Sequence, residues 1–276
     1  MGDAPDNVWI VKPAGKSRGR GIECSKDLAY ILAGRGGKVH CEAHWVVQKY
    51  IERPLIIRKR KFDIRQWVLV TSWNPLTVWF YGACYLRFCA HDYSLDDLSD
   101  RFTHLANNSV AKHSQAFKNS PFPGNMWHSD DFAGWLKEYT GEEDAWGDRV
   151  QPRMKDLVAM TCKSVQDMVD DRKGSFEVYG YDIMLDEQLN PWLIEINSSP
   201  DMSYSTKVTK RLVKTVGPDT VKVVVDYREW EAAKAKKRRG VPPTPPPTGL
   251  WECIHRASHK VGRPLGCLSH DFVCEG

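Results

Sequence analysis

The sequence predicts an α+β fold, a mostly antiparallel sheet with helices packed against it. Three observations lead there. Apolar, strand-like runs at residues 8–13, 45–51, 62–72 and 77–90 precede the main helical stretch instead of alternating with helices one by one. Short turn sequences, Trp73-Asn74-Pro75-Leu76 and Asp186-Glu187-Gln188-Leu189-Asn190, join neighbouring runs as antiparallel hairpins require. Within 150–172, Met154, Leu157, Val158, Thr161, Val165 and Met168 recur at steps of three and four, which places them on one buried helical face.

Taken in order, Val8-Trp9-Ile10-Val11-Lys12 is a strand stopped by Pro13, followed by a loop, 15–21, rich in glycine and basic residues. A short helix is expected over 25–32, with Ser25 as its cap. The run 45–51 is a second strand, and 62–72 and 77–90 are two long strands meeting at the Trp-Asn-Pro turn. The polar stretch 91–147 reads as a long excursion carrying one helix near 129–139. After the 150–172 helix, strands 176–185 and Pro191–Asn197 form a hairpin. Two helices, 205–216 and 219–230, are expected to be separated at Gly217-Pro218. The globular unit is expected to cover 1–230. Residues 231–276, with a basic run at Lys234, Lys236, Lys237, Arg238 and Arg239 and a proline-rich stretch after it, are expected to be a disordered tail.

Length and composition bound the rest. The chain has 276 residues, 42% hydrophobic and 27% charged, which excludes collagen, long coiled coil and wholesale disorder. No apolar run approaches the roughly 18–20 residues that cross a bilayer, so no membrane span is expected. Residues 1–13 lack the pattern of a secretory leader. Thirty-nine basic against 35 acidic residues leave +4, mild for a nucleic-acid binder, and none is expected as partner. Eight cysteines without a leader read as reduced thiols in a cytoplasmic protein. The eleven tryptophans are assigned to core packing and carry no functional reading.

Four clusters carry chemistry. Gly15, Gly19 and Gly21, with Lys16, Arg18 and Arg20 between them, let backbone N–H groups and positive charge face an anion, although the spacing is neither a Walker nor a Rossmann loop. Asp182 lies on one strand of the late hairpin, and Glu195 and Asn197, two apart and so on one face, lie on the other. Opposed, they gather two carboxylates and an amide oxygen, hard ligands that suit Mg²⁺, or else a solvated polar face. Glu195 stands within Trp192-Leu193-Ile194-Glu195-Ile196, a run that reads as buried, where a charge needs a partner or a metal. Lys61, Asp63 and Arg65 share a strand face opposite Phe62 and Ile64, the pattern of a half-exposed strand. Arg87, inside an apolar run, calls for an anionic partner. The basic run Arg58-Lys59-Arg60-Lys61 reads as surface, able to attract an acidic partner or simply solvated. Cys253, His255, His259, Cys267, His270 and Cys274 fit no usual zinc spacing.

In order along the chain, Val11-Lys12-Pro13, the glycine loop, Val47-Gln48-Lys49-Tyr50-Ile51, Lys61-Phe62-Asp63-Ile64-Arg65, Tyr85-Leu86-Arg87-Phe88, Thr103-His104-Leu105-Ala106-Asn107, Gly180-Tyr181-Asp182 and Ile194-Glu195-Ile196-Asn197-Ser198-Ser199-Pro200 resemble an ATP-grasp ligase. More narrowly they are similar to the tubulin tyrosine ligase-like family. The Asn-Ser-Ser-Pro ending and the Trp-Asn-Pro turn look most like its initiating glycine ligases, the monoglycylases. The resemblance implies ATP and Mg²⁺ as cofactors. Lys12 and loop residues Arg18, Gly19 and Gly21 would bind phosphates, and Gln48, Lys49, Tyr50 and Ile51 would hold adenine. Lys61, Asp63, Thr103 and Asn107 would complete the nucleotide site. Asp182, Glu195 and Asn197 would hold Mg²⁺, with Glu195 placed to bridge two ions; Arg65 and Arg87 would bind the acceptor carboxylate or the oxyanion formed from it, and these two arginines and Glu195 would be the catalytic residues.

The implied activity joins free glycine to glutamate side chains in acidic tubulin tails through an acyl phosphate. Such ligases carry a further lobe ahead of the first strand, which the resemblance implies is missing here. It implies as well a monomer at microtubules in cytoplasm and in cilia or axonemes. Three alternatives stay open: glutamate as donor, a non-catalytic microtubule-binding module, and ligation of small-molecule carboxylates.

Overall fold

The computed structural model describes residues 7–14, 19–32, 44–238 and 240–262. Eleven strands are found among them, in two sheets. The smaller sheet is antiparallel and ordered β2-β1-β3, with β1 Trp9–Pro13, β2 Glu23–Ser25 and β3 Trp45–Lys49. The larger sheet contains β4 Ile56–Ile57, β5 Arg60–Trp73, β6 Leu76–Tyr81, β7 Tyr85–Phe88, β8 Met126–His128, β9 Glu177–Leu185, β10 Pro191–Asn197 and β11 Trp251–Arg256. Its main path is β10-β9-β5-β6-β11, and β7 branches from β5 toward β8. All these pairings are antiparallel. The helices are α1 Leu28–Leu32, α2 Arg101–His104, α3 Asn108–Ala111, α4 Ser129–Thr140, α5 Gln151–Val165, α6 Lys207–Val221 and α7 Arg228–Ala235. The class is α+β, as the sequence predicts.

Strand β5 organises the molecule. Its even positions, among them Phe62, Ile64, Val68 and Val70, pack with Phe132 and Leu136 of α4 and Met154 and Val158 of α5. Its odd positions Trp67 and Leu69 pack with Leu212 and Val216 of α6. Each such large side chain contributes roughly 2–3 kcal/mol by leaving water. A strand covered on both faces cannot be half-exposed, so the alternation at 61–65 has another meaning than the one read from sequence. Lys61, Asp63 and Arg65 are all buried.

Five further expectations are corrected by packing. The run 77–90 is two strands, because Gly82 leaves the ladder to donate its N–H to Leu250 O at 2.8 Å. The helix near 25–32 starts later: Ser25 belongs to β2, and Asp27 Oδ1 accepts from Tyr30 N–H at 3.1 Å. The long helix begins with a π turn, Trp146–Val150, and α5 ends at Val165. Beyond it Met168 is 75% exposed, so the apolar spacing outruns the buried face. No break occurs at Gly217-Pro218, which lie within α6; a π turn, Lys222–Tyr227, then leads into α7. Gly217, Pro218 and Lys214 are all on the exposed side, so water replaces the hydrogen bond that proline removes.

The expected disorder of 231–276 does not hold for Trp251–Arg256, which forms β11 on the edge of β6. Trp251 is buried, meets the Tyr81 ring edge-on at 4.9 Å and donates Nε1–H to Thr220 Oγ1 at 3.2 Å. That anchor, together with the Leu250 N–H donated to Asp219 Oδ2 at 3.1 Å, ties the segment down.

Candidate active site

Register places the charged residues. Asp182 on β9 is opposite both Arg65 on β5 and Glu195 on β10, and Asp63 on β5 is opposite Arg87 on β7. Asp63 and Arg65 are two apart on one strand, so the four residues of β5, β7 and β9 share a face. Arg65 donates to both Asp182 oxygens, Nε to Oδ1 at 2.6 Å and Nη2 to Oδ2 at 3.2 Å. Arg87 donates Nε to Asp63 Oδ1 at 2.6 Å and Nη2 to Oδ2 at 2.7 Å, and its Nη2 lies 2.7 Å from Asp182 Oδ2. Two carboxylates and two guanidinium groups form one continuous, buried chain.

The chain's members feel burial differently. Burial pushes the Asp182 carboxyl up, but Arg87 and Arg65 together outweigh it and hold it at about 2. Asp63, with Arg87 as its one close cation, stays above the usual carboxylate range because burial prevails. Glu195 is exposed overall, but partial desolvation against the cleft wall, followed by the charge of Asp182, raises its carboxyl. The run around Glu195 is therefore no buried strand: β10 is an edge strand, and Trp192 is 51% exposed. A register shift between Leu193 and Glu195 bends it. Asn197 donates Nδ2–H to Gly180 O at 3.2 Å and lies 3.4 Å from Glu195 Oε1.

A cleft of about 630 Å³, measured out to its open mouth, lies between the two sheets. Ile10, Ile22, Met184 and Ile194 line it with apolar surface; Lys12, Asp63, Asp182 and Glu195 give it a charged end. Lys12 donates Nζ to Gln48 Oε1 at 2.8 Å and reaches Ile194 O at 3.4 Å, bridging both walls. Burial lowers its ammonium pKa, against the opposing pull of Glu195 and Asp182.

A second polar chain closes the cleft's inner side. Lys61 donates Nζ to Tyr50 Oη at 2.6 Å and to His104 O at 2.9 Å. Tyr50 Oη is 2.8 Å from His104 Nδ1, and His104 Nε2 is 3.0 Å from Asp97 O. A carbonyl only accepts, so Nε2 carries the proton, Nδ1 accepts, and the tyrosine hydroxyl donates to it. Burial lowers both the Lys61 and the His104 pKa and raises that of Tyr50.

A broader polar cavity adjoins the cleft and shares Ile22, Asn107 and Glu195 with it. Arg65, Arg87, Asn197 and Lys112 line it. The charged chain thus stands where the two cavities meet.

Most of the sequence-selected residues converge. Lys12, Gln48, Lys49, Tyr50, Ile51, Lys61, Asp63, Asn107, Asp182 and Glu195 all line the cleft. Gly19 borders the adjoining cavity with Asn107, and its φ of +70° is one that side chains rarely adopt. Gly21, also at positive φ, borders a neighbouring groove together with Ile22. Arg18 lies outside the described residues. Lys49 sends its ammonium away, to Val8 O at 3.1 Å and to Glu52, which leaves its backbone as the part near the cleft. Thr103 is not brought to the cleft: its hydroxyl donates to Asp100 Oδ2 at 2.8 Å, inside the α2 turn. Leu105 and Ala106 line the cleft instead, and His104, which sequence reasoning passed over, supplies the polar contact. Lys61 does not belong to a basic surface, and Arg60 pairs with Asp92 at 3.1 Å. Among the described residues, no three or more His, Cys, Asp or Glu side chains form a metal-binding group.

A cleft between a small antiparallel flap and a larger sheet, with carboxylates at one end and arginines just beyond them, defines an ATP-grasp-like core. The family model described as the tubulin-tyrosine ligase family matches residues 2–231, and the chain belongs to that family. It is 48% identical over 273 residues to "Tubulin glycylase 3C" of Tetrahymena thermophila, covering 98% of this chain and 24% of that protein. It is 50% identical over 225 residues to "Tubulin monoglycylase TTLL3" of Homo sapiens, covering 80% of this chain and 29% of that one. It is 45% identical over 268 residues to "Protein monoglycylase TTLL8" of Homo sapiens, covering 95% and 31%. The chain spans about a quarter to a third of the length of these relatives.

Proposed function

We propose that this chain is the core of an ATP-dependent ligase that attaches glycine to glutamate side chains in tubulin tails, as the initiating step of glycylation. One observation carries the reading. The Asp63–Arg87–Asp182–Arg65 chain joins a half-apolar cleft between the two sheets to a second, polar cavity. Two cavities meeting at guanidinium groups held in place by paired carboxylates suit transfer of a phosphoryl group onto a carboxylate. The relatives, a tubulin glycylase and a tubulin monoglycylase by name, support tubulin as substrate and glycine as the added group.

In this reading adenine lies against Ile10, Met184 and the backbone of 48–51, and the phosphates run toward Lys12. Mg²⁺, held by Glu195 and Asn197 beside Asp182, would supply charge neutralisation at the phosphates. The donors fit: they are hard oxygens, and Glu195 opposes Asp182 across the β9–β10 ladder, so two carboxylates face a common place. Both oxygens of Asp182 already accept from arginine, so it contributes mainly field.

Arg65 and Arg87 face the adjoining cavity, where an acceptor carboxylate would be drawn in and oriented. That carboxylate takes the γ-phosphoryl group, ADP leaves, and an acyl phosphate forms. The amine of free glycine attacks its carbonyl carbon, the bond to phosphate breaks, and the amine proton passes to solvent. The products are an isopeptide branch, ADP and phosphate. The protein would work as a monomer at microtubules, in cytoplasm and in cilia or axonemes. Incubation with tubulin, ATP and either labelled glycine or labelled glutamate tests it. Label from glycine alone is expected; label from glutamate alone would replace the donor.

A further inference from the structure

A second groove, about 960 Å³ out to its open mouth, lies at the far end of β5, bounded by the β5–β6 turn, residues 171–176, the π turn before α7 and the stretch after β11. Five cations line it, Arg172, Lys173, Arg228, Arg256 and Lys260, against two acids, Asp171 and Glu231. Both acids are already engaged. Asp171 Oδ1 accepts from the N–H groups of Trp73 at 3.0 Å and Asn74 at 3.3 Å, and Glu231 pairs with Arg256. The ion pairs among the described residues include none to Arg172, Lys173, Arg228 or Lys260. The floor is aromatic: Trp79 and Tyr227 meet edge to face at 5.1 Å, and the Arg256 guanidinium lies 6.0 and 5.7 Å from their ring centres. Three net positive charges in one groove stand out on a chain whose total is +4.

The helical run 207–235 joins this groove to the candidate active site. Thr209 near its start lines the cavity beside Arg65 and Arg87, and Arg228 lines the groove. Nineteen residues at about 1.5 Å each separate them by about 28 Å. An extended peptide covers that distance in about nine residues.

We propose that the groove is an exosite for an acidic peptide: carboxylates of a chain whose reacting glutamate occupies the cavity at Arg65 and Arg87 pair with Arg172, Lys173 and Lys260 some nine residues away. The proposal rests on the ligase reading for the second half of that sentence. Anchoring at a distance makes entry of the reacting glutamate intramolecular and concentrates it at the site. It selects long acidic segments over single glutamates. The exposed groove cations hold the peptide through charge, so its affinity depends steeply on salt.

The test titrates a fluorescein-labelled peptide of about ten glutamates into the chain and into the triple variant Arg172→Glu, Lys173→Glu, Lys260→Glu, at low and moderate salt. The expected result is at least tenfold weaker binding by the variant and a flatter salt dependence, with ATP affinity and melting temperature unchanged. Equal peptide binding by the two proteins would overturn the proposal. So would a ten-nucleotide deoxythymidine strand that binds as tightly and is lost in parallel, because the groove would then not select peptide. Glycine transfer to a four-residue glutamate peptide, too short to reach the groove, should be equal in both proteins, while transfer to the longer peptide should fall in the variant. Absence of transfer by the wild-type chain to either peptide would overturn the ligase reading and leave the binding comparison to decide the groove.

Discussion

Strands β9 and β10 present one carboxylate each at opposed positions, Asp182 and Glu195, and the two live in different worlds. Asp182 is on an inner strand, 2% exposed, with both oxygens taken by guanidinium groups and its pKa at about 2. Glu195 is on the edge strand, exposed, and its pKa is raised. Neighbours in a ladder need not share a role. The inner acid fixes two arginines in place, and the edge acid keeps its oxygens for something that arrives from solution.

Substitutions can break or sharpen that contrast. The largest effect is expected from Asp182→Ala, which leaves Arg65 and half of Arg87 buried without a counter-charge; unfolding free energy should fall by about 3–5 kcal/mol, read by denaturant titration. Glu195→Gln, by contrast, should leave stability within about 0.5 kcal/mol of wild type. An equal loss in both variants would erase the distinction between inner and edge acid.

Tyr50→Phe removes the hydroxyl between Lys61 and His104, leaving a buried donor and a buried acceptor unsatisfied. A loss of about 1–2 kcal/mol is expected, with weaker ATP binding, since Tyr50 and His104 both line the cleft. The smallest effect concerns pH. His104 is held neutral by burial, so its folded pKa is lowered, and below about pH 6.5 the unfolded chain binds a proton that the folded one refuses. Stability should therefore decline as pH falls from 6.5 toward that lowered value. His104→Phe should flatten this part of the pH profile.

The late hairpin was the most legible part of the site. Asp182, Glu195 and Asn197 lie within two strands joined by five residues, so local spacing alone sets the partners, and Glu195 indeed opposes Asp182. The fate of β5 was not legible at 61–65, because its charged face meets the flap, residues 104–107 and β7, all brought there by the fold. The same holds for Tyr50 and His104, 54 residues apart and joined through one hydroxyl. Gly217-Pro218 misled because local breaker chemistry says nothing about which side of a helix faces water. Trp251 misled for the opposite reason: a proline-rich approach reads as disorder, yet one indole filling a gap beside Tyr81 is enough to pin a strand.

The central claim is that the cleft between the sheets holds Mg·ATP with Glu195 at its phosphate end. Calorimetric titration of Mg·ATP into the wild-type chain and into Glu195→Ala tests it most directly. The account predicts binding by the wild type, and binding at least tenfold weaker, about 1.4 kcal/mol, by a variant with an unchanged melting temperature. Equal affinity in the two proteins would contradict it.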